Sequence, residues 1–304
     1  MYKTLLVPVD GSGFSARALP VAVELARRCD ATVHVAMVHD PSAFIPFVPG
    51  EVAVPVFDSA LLQEKRDESQ VALDAAVASV TAQGVRAVGA LLEGTVVESL
   101  VEYGQQIAAE MTLMTTRGRG GFTRLRLGSV ATAYLVRATA PVLLVHGAGG
   151  DDEETPVLPT GRLLVPLDAS PFAEKIVPHA ARFADACGMT LALFSVVTPQ
   201  AVSLAPFGMA SLLADTEMLG QEEQLRLAHL TRIAAGCPAG TTVQCVTDMS
   251  ASGAVLDAAS SAGAVAMATH ARRGLARFVL GSVTDEIVRH ASVPTLVYRP
   301  ESDG

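Results

Sequence analysis

A glycine-containing loop is the clearest candidate for chemistry in this sequence. The apolar run Met111–Thr115 is typical of a buried strand, RGRGG follows at 117–121, and Gly128 and Ser129 stand where a helix is predicted to begin. Backbone N–H groups of such a loop, together with a helix N-terminus, bind phosphate oxygens, and Arg117 adds positive charge. The same residues also fit a flexible turn that is simply rich in glycine, and the local sequence leaves both interpretations open.

The carboxylate of Asp10 is a second candidate, because it directly follows the apolar run Leu5–Val9. At the end of a buried strand a carboxylate can accept hydrogen bonds from ribose hydroxyls, or it can cap the helix that comes next. Neither interpretation is favoured by the residues alone. No cluster of Asp, Glu and His, no Gly-Lys-Ser/Thr loop and no metal-ligand spacing accompanies it. We therefore predict no catalytic residue and no metal ligand.

The elements that position these residues occur twice. LLVPVDGS at 5–12 matches LLVPLDAS at 163–170, RGRGGFTRLRLGSV at 117–130 matches HARRGLARFVLGSV at 270–283, and ATAPVLLV at 138–145 matches ASVPTLVY at 291–298. A stretch rich in Gly, Pro and acidic residues separates the copies and is typical of a linker. We predict domains at 1–147 and 160–300, joined by a linker at 148–159.

Within each copy, short apolar runs alternate with longer helical patterns. In the first copy the predicted strands are Leu5–Val9, Thr32–Val38, Val85–Leu91, Met111–Thr115 and Val142–Val145, and the predicted helices follow Ser12 and cover 60–82, Val96–Ala109 and Ser129–Ala138. This alternation predicts an α/β fold: two tandem, doubly wound, open parallel sheets of about five strands each. Such sheets bind ligands at the carboxyl ends of their strands, where the strand order reverses. Pro20 in the first helix predicts a distortion of its first turns.

These motifs resemble the universal stress protein family. The resemblance is carried by Val-Pro-Val-Asp-Gly-Ser at the first strand, by Gly118 followed after nine residues by Gly128-Ser129, and by a closing Ala-Pro-Val-Leu-Leu-Val, and it covers nearly the whole chain, twice. It implies that family's nucleotide-binding α/β sandwich, with ATP as ligand, with or without Mg²⁺. By this resemblance the residues around adenine and ribose would be Pro8, Val9, Asp10 and Val38, and those around the phosphates Met114, Thr115, Arg117, Gly118, Gly128, Ser129 and Val130.

Departures from the family motif distinguish the two copies. The first motif glycine is replaced by Thr115 in copy one, whereas copy two has Ala268 and Ala271 at the first two glycine positions. A methyl group in a tight phosphate contact costs about 1–3 kcal/mol. We therefore predict a nucleotide site in copy one and a weaker second site formed by Asp168, Val196, His270, Gly281, Ser282 and Val283.

Composition limits the partners. A net charge of −9 argues against general nucleic-acid binding, and no apolar run reaches the length of about 18 residues that a membrane span requires. The sequence starts in a strand-like run without an apolar signal, so we expect a cytoplasmic protein. Cys29 and Cys187 occupy equivalent places in the repeat; we interpret them as packing residues, with a redox switch as the alternative.

Function is expected to be binding rather than catalysis. The leading hypothesis is a cytosolic ATP-binding stress-response or regulatory protein; the alternative is an interaction or scaffold module with degenerate phosphate loops, and slow ATP hydrolysis is a third. Because relatives in the family are usually dimers, we predict an intramolecular pseudo-dimer that pairs Val142–Val145 with Thr295–Tyr298, and leave a further homodimer open. The proline-rich segment 42–62 fits packing on the domain surface, a lid over the nucleotide or a subunit contact, and the sequence does not decide between them.

Overall fold

The computed structural model describes residues 1–41, 59–116, 127–145, 155–199, 211–270 and 280–300, with only the helical backbone described for 59 and 211–216. The chain forms two compact units. The first unit is Tyr2–Leu158, and the second is Pro159–Gly304 together with Met1. Most of the loop 117–128, with Arg117 and Gly118, lies outside the described residues, as does most of the segment 42–62.

The first unit alternates strands and helices as the sequence predicts. Its elements are β1 Thr4–Pro8, α1 Gly13–Ala16, α2 Ala18–Cys29, β2 Thr32–His39, α3 Ser59–Thr81, β3 Arg86–Glu93, α4 Val96–Gln106, β4 Met111–Thr115, α5 Ser129–Leu135 and β5 Val142–Val145. Strands β4 and β5 have the predicted bounds. Helix α4 ends at Gln106 rather than at Ala109, because Ala108 takes a left-handed conformation (φ 48°) and the Ala109 N–H donates back to the Gly104 carbonyl at 2.8 Å.

The second unit repeats this order. Its elements are β6 Arg162–Pro166, α6 Pro171–Glu174, α7 Val177–Cys187, β7 Thr190–Val197, α8 Ser211–Ala234, β8 Thr242–Thr247, α9 Ala251–Ala259, β9 Ala264–Ala268, α10 Ser282–His290 and β10 Thr295–Tyr298.

Each unit contains a parallel sheet that reverses its strand order once. The order is β3-β2-β1-β4-β5 in the first unit and β8-β7-β6-β9-β10 in the second. In the first unit β1 pairs in parallel with β2 over its whole length and with β4 at Leu5–Met111 and Leu6–Thr112. In the second unit β6 has the same two neighbours, β7 and β9. The switch point therefore lies between β1 and β4, and between β6 and β9.

Pro20 interrupts the first helix, as predicted. The helix divides into α1 and α2 at Arg17, because a proline at the third position of α2 has no N–H to donate to the preceding turn. In the second unit Pro178 stands near the start of α7, and the corresponding helix again divides, into α6 and α7. The short helices α1 and α6 that result from this division directly follow β1 and β6, the strands at the switch points, where ligands bind in this class of fold.

The core of each unit lies between the sheet and its helices. The strands beside the switch points, β1 and β4 in the first unit and β6 and β9 in the second, are buried along most of their length. Cys29 and Cys187 are the last residues of α2 and α7; both are buried and neither forms a disulfide, which agrees with the predicted packing role. Their equivalent burial reflects the internal repeat.

Candidate functional site

The first candidate site begins where β1 emerges from the sheet. Pro8 and Val9 are buried, and the Val9 N–H donates to the Ala36 carbonyl of β2 at 2.8 Å. Asp10 follows and is half-buried at the rim. Val38, the next-to-last residue of β2, is also half-buried. The described residues of the predicted adenine and ribose region thus come from the carboxyl ends of two adjacent strands.

Asp10 organises the turn after β1. Its Oδ1 accepts hydrogen bonds from the Ser12 N–H at 2.9 Å and from the Ser12 hydroxyl at 2.5 Å. The Ser12 hydroxyl in turn accepts from the Ser15 N–H at 3.2 Å and caps α1. Gly11 between them has φ 78°, a left-handed conformation that favours glycine. The cap of α1 is therefore Ser12, and Asp10 holds the turn that precedes it rather than capping the helix itself; the ribose interpretation stays a prediction.

The phosphate side is built from the end of β4 and the start of α5. Met114 and Thr115 are buried at the strand end. The Gly128 N–H donates to the Thr116 carbonyl at 2.6 Å, which joins the two ends of the loop that contains Arg117 and Gly118. Gly128 is the N-cap of α5 and, having no side chain, offers no capping group.

The first turn of α5 is accessible. Ser129 and Val130 are exposed, and the first N–H groups of a helix have no partner within the helix. These groups lie at the start of a helix whose N-cap is held beside the switch point. Such N–H groups are suited to an anion.

The second unit reproduces the turn but not its glycine. Asp168 Oδ1 accepts from the Ser170 N–H at 2.9 Å and from the Ser170 hydroxyl at 2.6 Å. Ala169 replaces Gly11 and has φ 63°, so an alanine is held in a conformation that favours glycine. Asp168 is exposed, whereas Asp10 is half-buried. The Arg226 guanidinium of α8 donates to the Asp168 carbonyl at 2.5 Å, a contact that the sequence did not predict.

The phosphate side of the second unit also differs. Ala268 ends β9 in paired strand conformation, opposite Tyr298. His270 is exposed, and its ring stacks on Phe172 with the centroids 3.4 Å apart. Gly281 is the N-cap of α10, followed by Ser282, which is exposed, and Val283, which is half-buried, as is Val196 at the end of β7.

Sequence reasoning missed Phe172 and Arg226. Both contact residues that are distant in the chain; Phe172 is the counterpart of Phe14 in the repeat, and Arg226 belongs to no motif. Within the described residues no group of three or more His, Cys, Asp or Glu side chains is arranged to hold a metal ion. None of the described helices has the combination of length and apolar character needed to cross a bilayer.

The fold defines a doubly wound α/β protein, a class in which ligands bind at the switch point of the sheet. The sequence model described as the universal stress protein family matches residues 1–146 and again 159–299, so the chain belongs to the universal stress protein family.

Some related proteins match one copy of the repeat, and others match both copies. A universal stress protein of Mycobacterium tuberculosis is 31% identical over 210 residues, 69% of this chain and 68% of the relative. One from Mycolicibacterium smegmatis is 26% identical over 97% of both chains. Among solved structures, a universal stress protein from Archaeoglobus fulgidus superimposes with a TM-score of 0.65 at 19% identity, covering 97% of this chain and 98% of that one. This last similarity supports the fold alone.

Proposed function

We propose that this protein is a cytosolic ATP-binding regulator of the stress response, with its nucleotide in the first unit. The observation that carries the proposal is the convergence of two polar structures at one switch point. The Asp10 turn follows β1, and the Gly128 N-cap is hydrogen-bonded to the end of the adjacent strand β4. In doubly wound sheets this is the position of ligand crevices.

Each part of the site has a distinct role in the proposal. Asp10 accepts hydrogen bonds from the ribose hydroxyls while it maintains its turn, since a carboxylate has about four lone-pair positions. The N–H groups of Ser129 and Val130 and the loop around Gly118 bind phosphate oxygens, with Arg117 adding charge. Pro8, Val9 and Val38 pack on adenine and ribose. A Mg²⁺ ion would be bound mainly by the nucleotide, because the described residues offer it no cluster of carboxylates.

Nucleotide occupancy, rather than turnover, is the proposed output. The described site contains one carboxylate, Asp10, whose Oδ1 is engaged by Ser12. A group so engaged is a poor general base, because its protonation would weaken the turn that positions it. We infer that bound ATP sets a conformation or a partner surface. Pairing of the two domains, and a further homodimer, stay predictions from the sequence.

Nucleotide co-purification tests this proposal directly. The full chain is purified without added nucleotide and denatured, and the released small molecules are separated by chromatography. ATP or ADP at about one equivalent supports the proposal. A nucleotide-free protein that also fails to bind added ATP with Mg²⁺ contradicts it and favours the scaffold alternative. Hydrolysis of added ATP, followed over hours, tests the slow-ATPase alternative.

A further inference from the structure

Two buried hydroxyl groups of the first unit share one hydrogen bond. Thr112, the second residue of β4, and Tyr134, on α5, are 1% and 3% exposed, and their hydroxyl oxygens lie 2.9 Å apart. Burial raises the pKa of Tyr134 above its ordinary value, so the phenol keeps its proton at neutral pH. The pair therefore carries two hydroxyl hydrogens, and only one of them lies in the shared bond. Neither hydroxyl makes a further hydrogen bond within the described residues, so one buried donor needs another acceptor.

A small cavity lies beside this pair. Its volume is about 10 Å³, and besides Thr112 and Tyr134 it is lined by Gly104 and Gln105 of α4 and by Thr139, which follows α5. One water molecule needs about this much space, together with at least two polar partners. The two hydroxyls supply such partners, and Gln105 and Thr139 bring further polar groups to the wall. The cavity lies near the start of β4, whereas the candidate nucleotide site lies at the carboxyl end of that strand.

Gly104 preserves this space. A Cβ at position 104 would lie 3.3 Å from Leu6 Cδ2 and 3.4 Å from the Tyr134 hydroxyl oxygen. Alanine is the better helix former, but its methyl group would be pressed against the leucine and would narrow the cavity. Glycine at this position of α4 therefore leaves room both for the hydroxyl and for a small ligand beside it.

The second copy is apolar at the equivalent positions. Aligning the start of β4 with that of β9, and the start of α5 with that of α10, places Val265 at the position of Thr112 and Ile287 at that of Tyr134. Both side chains are fully buried in one apolar cluster. The same fold thus forms without these hydroxyls. Because a buried hydroxyl costs free energy unless it is hydrogen-bonded, the polar pair of the first unit favours a bound partner.

We propose that the cavity at Thr112 and Tyr134 binds one ordered water molecule. The water accepts the remaining hydroxyl hydrogen of the pair and connects β4 and α5 to the end of α4, since buried waters commonly satisfy polar groups in this way. Because α5 begins next to the Gly128 N-cap, the water holds the far end of the helix whose start faces the proposed phosphate site. The inference does not depend on nucleotide binding, and its test uses no nucleotide.

Oxygen-17 relaxation dispersion of the solvent counts long-lived bound waters and tests this site in the intact chain. Thr112→Val combined with Tyr134→Phe removes both hydroxyls, and an apolar cavity stays dry. The dispersion amplitude of this double variant should fall below that of the wild type by about one water molecule per chain. Gly104→Ala keeps both hydroxyls but narrows the cavity, so it should lose the same amplitude.

A glycine of α8 provides the matched control. A Cβ at Gly220 would meet nothing within 4 Å among the described residues outside its own turn of helix. Gly220→Ala therefore changes a helix glycine without narrowing a cavity, and it should leave the amplitude unchanged. Circular dichroism checks that each variant is folded; if Gly104→Ala is not, the double variant decides, because its replacements are close in size to the original side chains. A folded double variant with the amplitude of the wild type overturns the water site.

Discussion

Asp10 and Ser12 form a closed hydrogen-bonded pair, in which one carboxylate oxygen accepts from both the Ser12 N–H at 2.9 Å and the Ser12 hydroxyl at 2.5 Å. Asp168 and Ser170 repeat the pair at 2.9 and 2.6 Å. The same carboxylate turn therefore stabilises both units. Because the structural role is shared, the two aspartates should differ in their effect on ATP binding only if the nucleotide site lies in the first unit.

Replacement of each aspartate separates these roles. Asp10→Ala and Asp168→Ala should each lower the free energy of unfolding by about 1 kcal/mol, since each removes the acceptor of the turn. Only Asp10→Ala should also weaken ATP binding, by about tenfold, which corresponds to roughly 1.4 kcal/mol. Urea denaturation and calorimetric titration measure the two quantities. Equal ATP affinity in the two variants would remove Asp10 from the site.

Gly118 should tolerate no side chain if the loop contacts phosphates. Gly118→Val should weaken ATP binding at least tenfold, because the added atoms occupy space that the phosphate oxygens need. Ala271→Val at the corresponding position of the second copy is the control and should leave the ATP affinity of the first unit unchanged. An unaltered ATP affinity in folded Gly118→Val protein would mean that the loop does not bind phosphates.

The alanines of the second copy should weaken its site through their methyl groups. Ala268 is paired strand backbone and does not have a positive φ, so the conformational penalty that alanine would suffer in a left-handed conformation does not arise there. Changing Ala268 and Ala271 together to glycine should strengthen or create a second ATP site, read as a rise in calorimetric stoichiometry from near one. Two equal ATP sites in the unmodified chain would refute the steric argument.

The end of α4 carries a local strain that glycine should relieve. Ala108 is exposed with φ 48°, and an alanine in this region is less favourable than glycine by about 1 kcal/mol. Ala108→Gly should therefore raise the free energy of unfolding by up to about 1 kcal/mol in urea denaturation. Ala75→Gly, at an exposed interior position of α3, should lower it by about 1 kcal/mol. A lower free energy of unfolding in Ala108→Gly would show that the backbone at Ala108 is not strained.

His34 should make the protein less stable in mild acid. Its Nδ1 lies 2.9 Å from the Tyr103 hydroxyl, and burial lowers the pKa of the ring below its ordinary 6.5. The unfolded chain then binds the proton first, so stability falls as the pH drops through about 6.5 toward the folded pKa. Between pH 7.5 and 5.5 the wild type should lose more stability in urea than His34→Gln. Identical losses of stability in the two proteins would show that His34 does not contribute to this pH dependence.

Much of the fold could be predicted because local patterns determine it. The runs Met111–Thr115 and Val142–Val145 became strands with the predicted bounds, and Pro20 divided its helix where a missing N–H requires it. The end of α4 was missed because Ala108 gives no sign of the left-handed conformation that glycine or asparagine would signal.

The candidate site was predictable only in part. Asp10 and Gly128 follow from strand ends and a repeated motif, and topology places them on adjacent strands. The Phe172–His270 stack and the contact of Arg226 with Asp168 join residues far apart in the chain. Neither the apolar periodicity nor the motif spacing of the sequence predicts such pairs, because they depend on how the helices pack against the ends of the strands.

Calorimetric titration of the intact wild-type chain with ATP and Mg²⁺, after removal of any co-purified nucleotide, tests the central claim most directly. If the first unit binds nucleotide and the second copy is weakened, one ATP should bind per chain. Asp10→Ala should then lower the ATP affinity about tenfold, and Asp168→Ala should leave it unchanged. Absence of binding, or binding that Asp168→Ala weakens and Asp10→Ala does not, would contradict it.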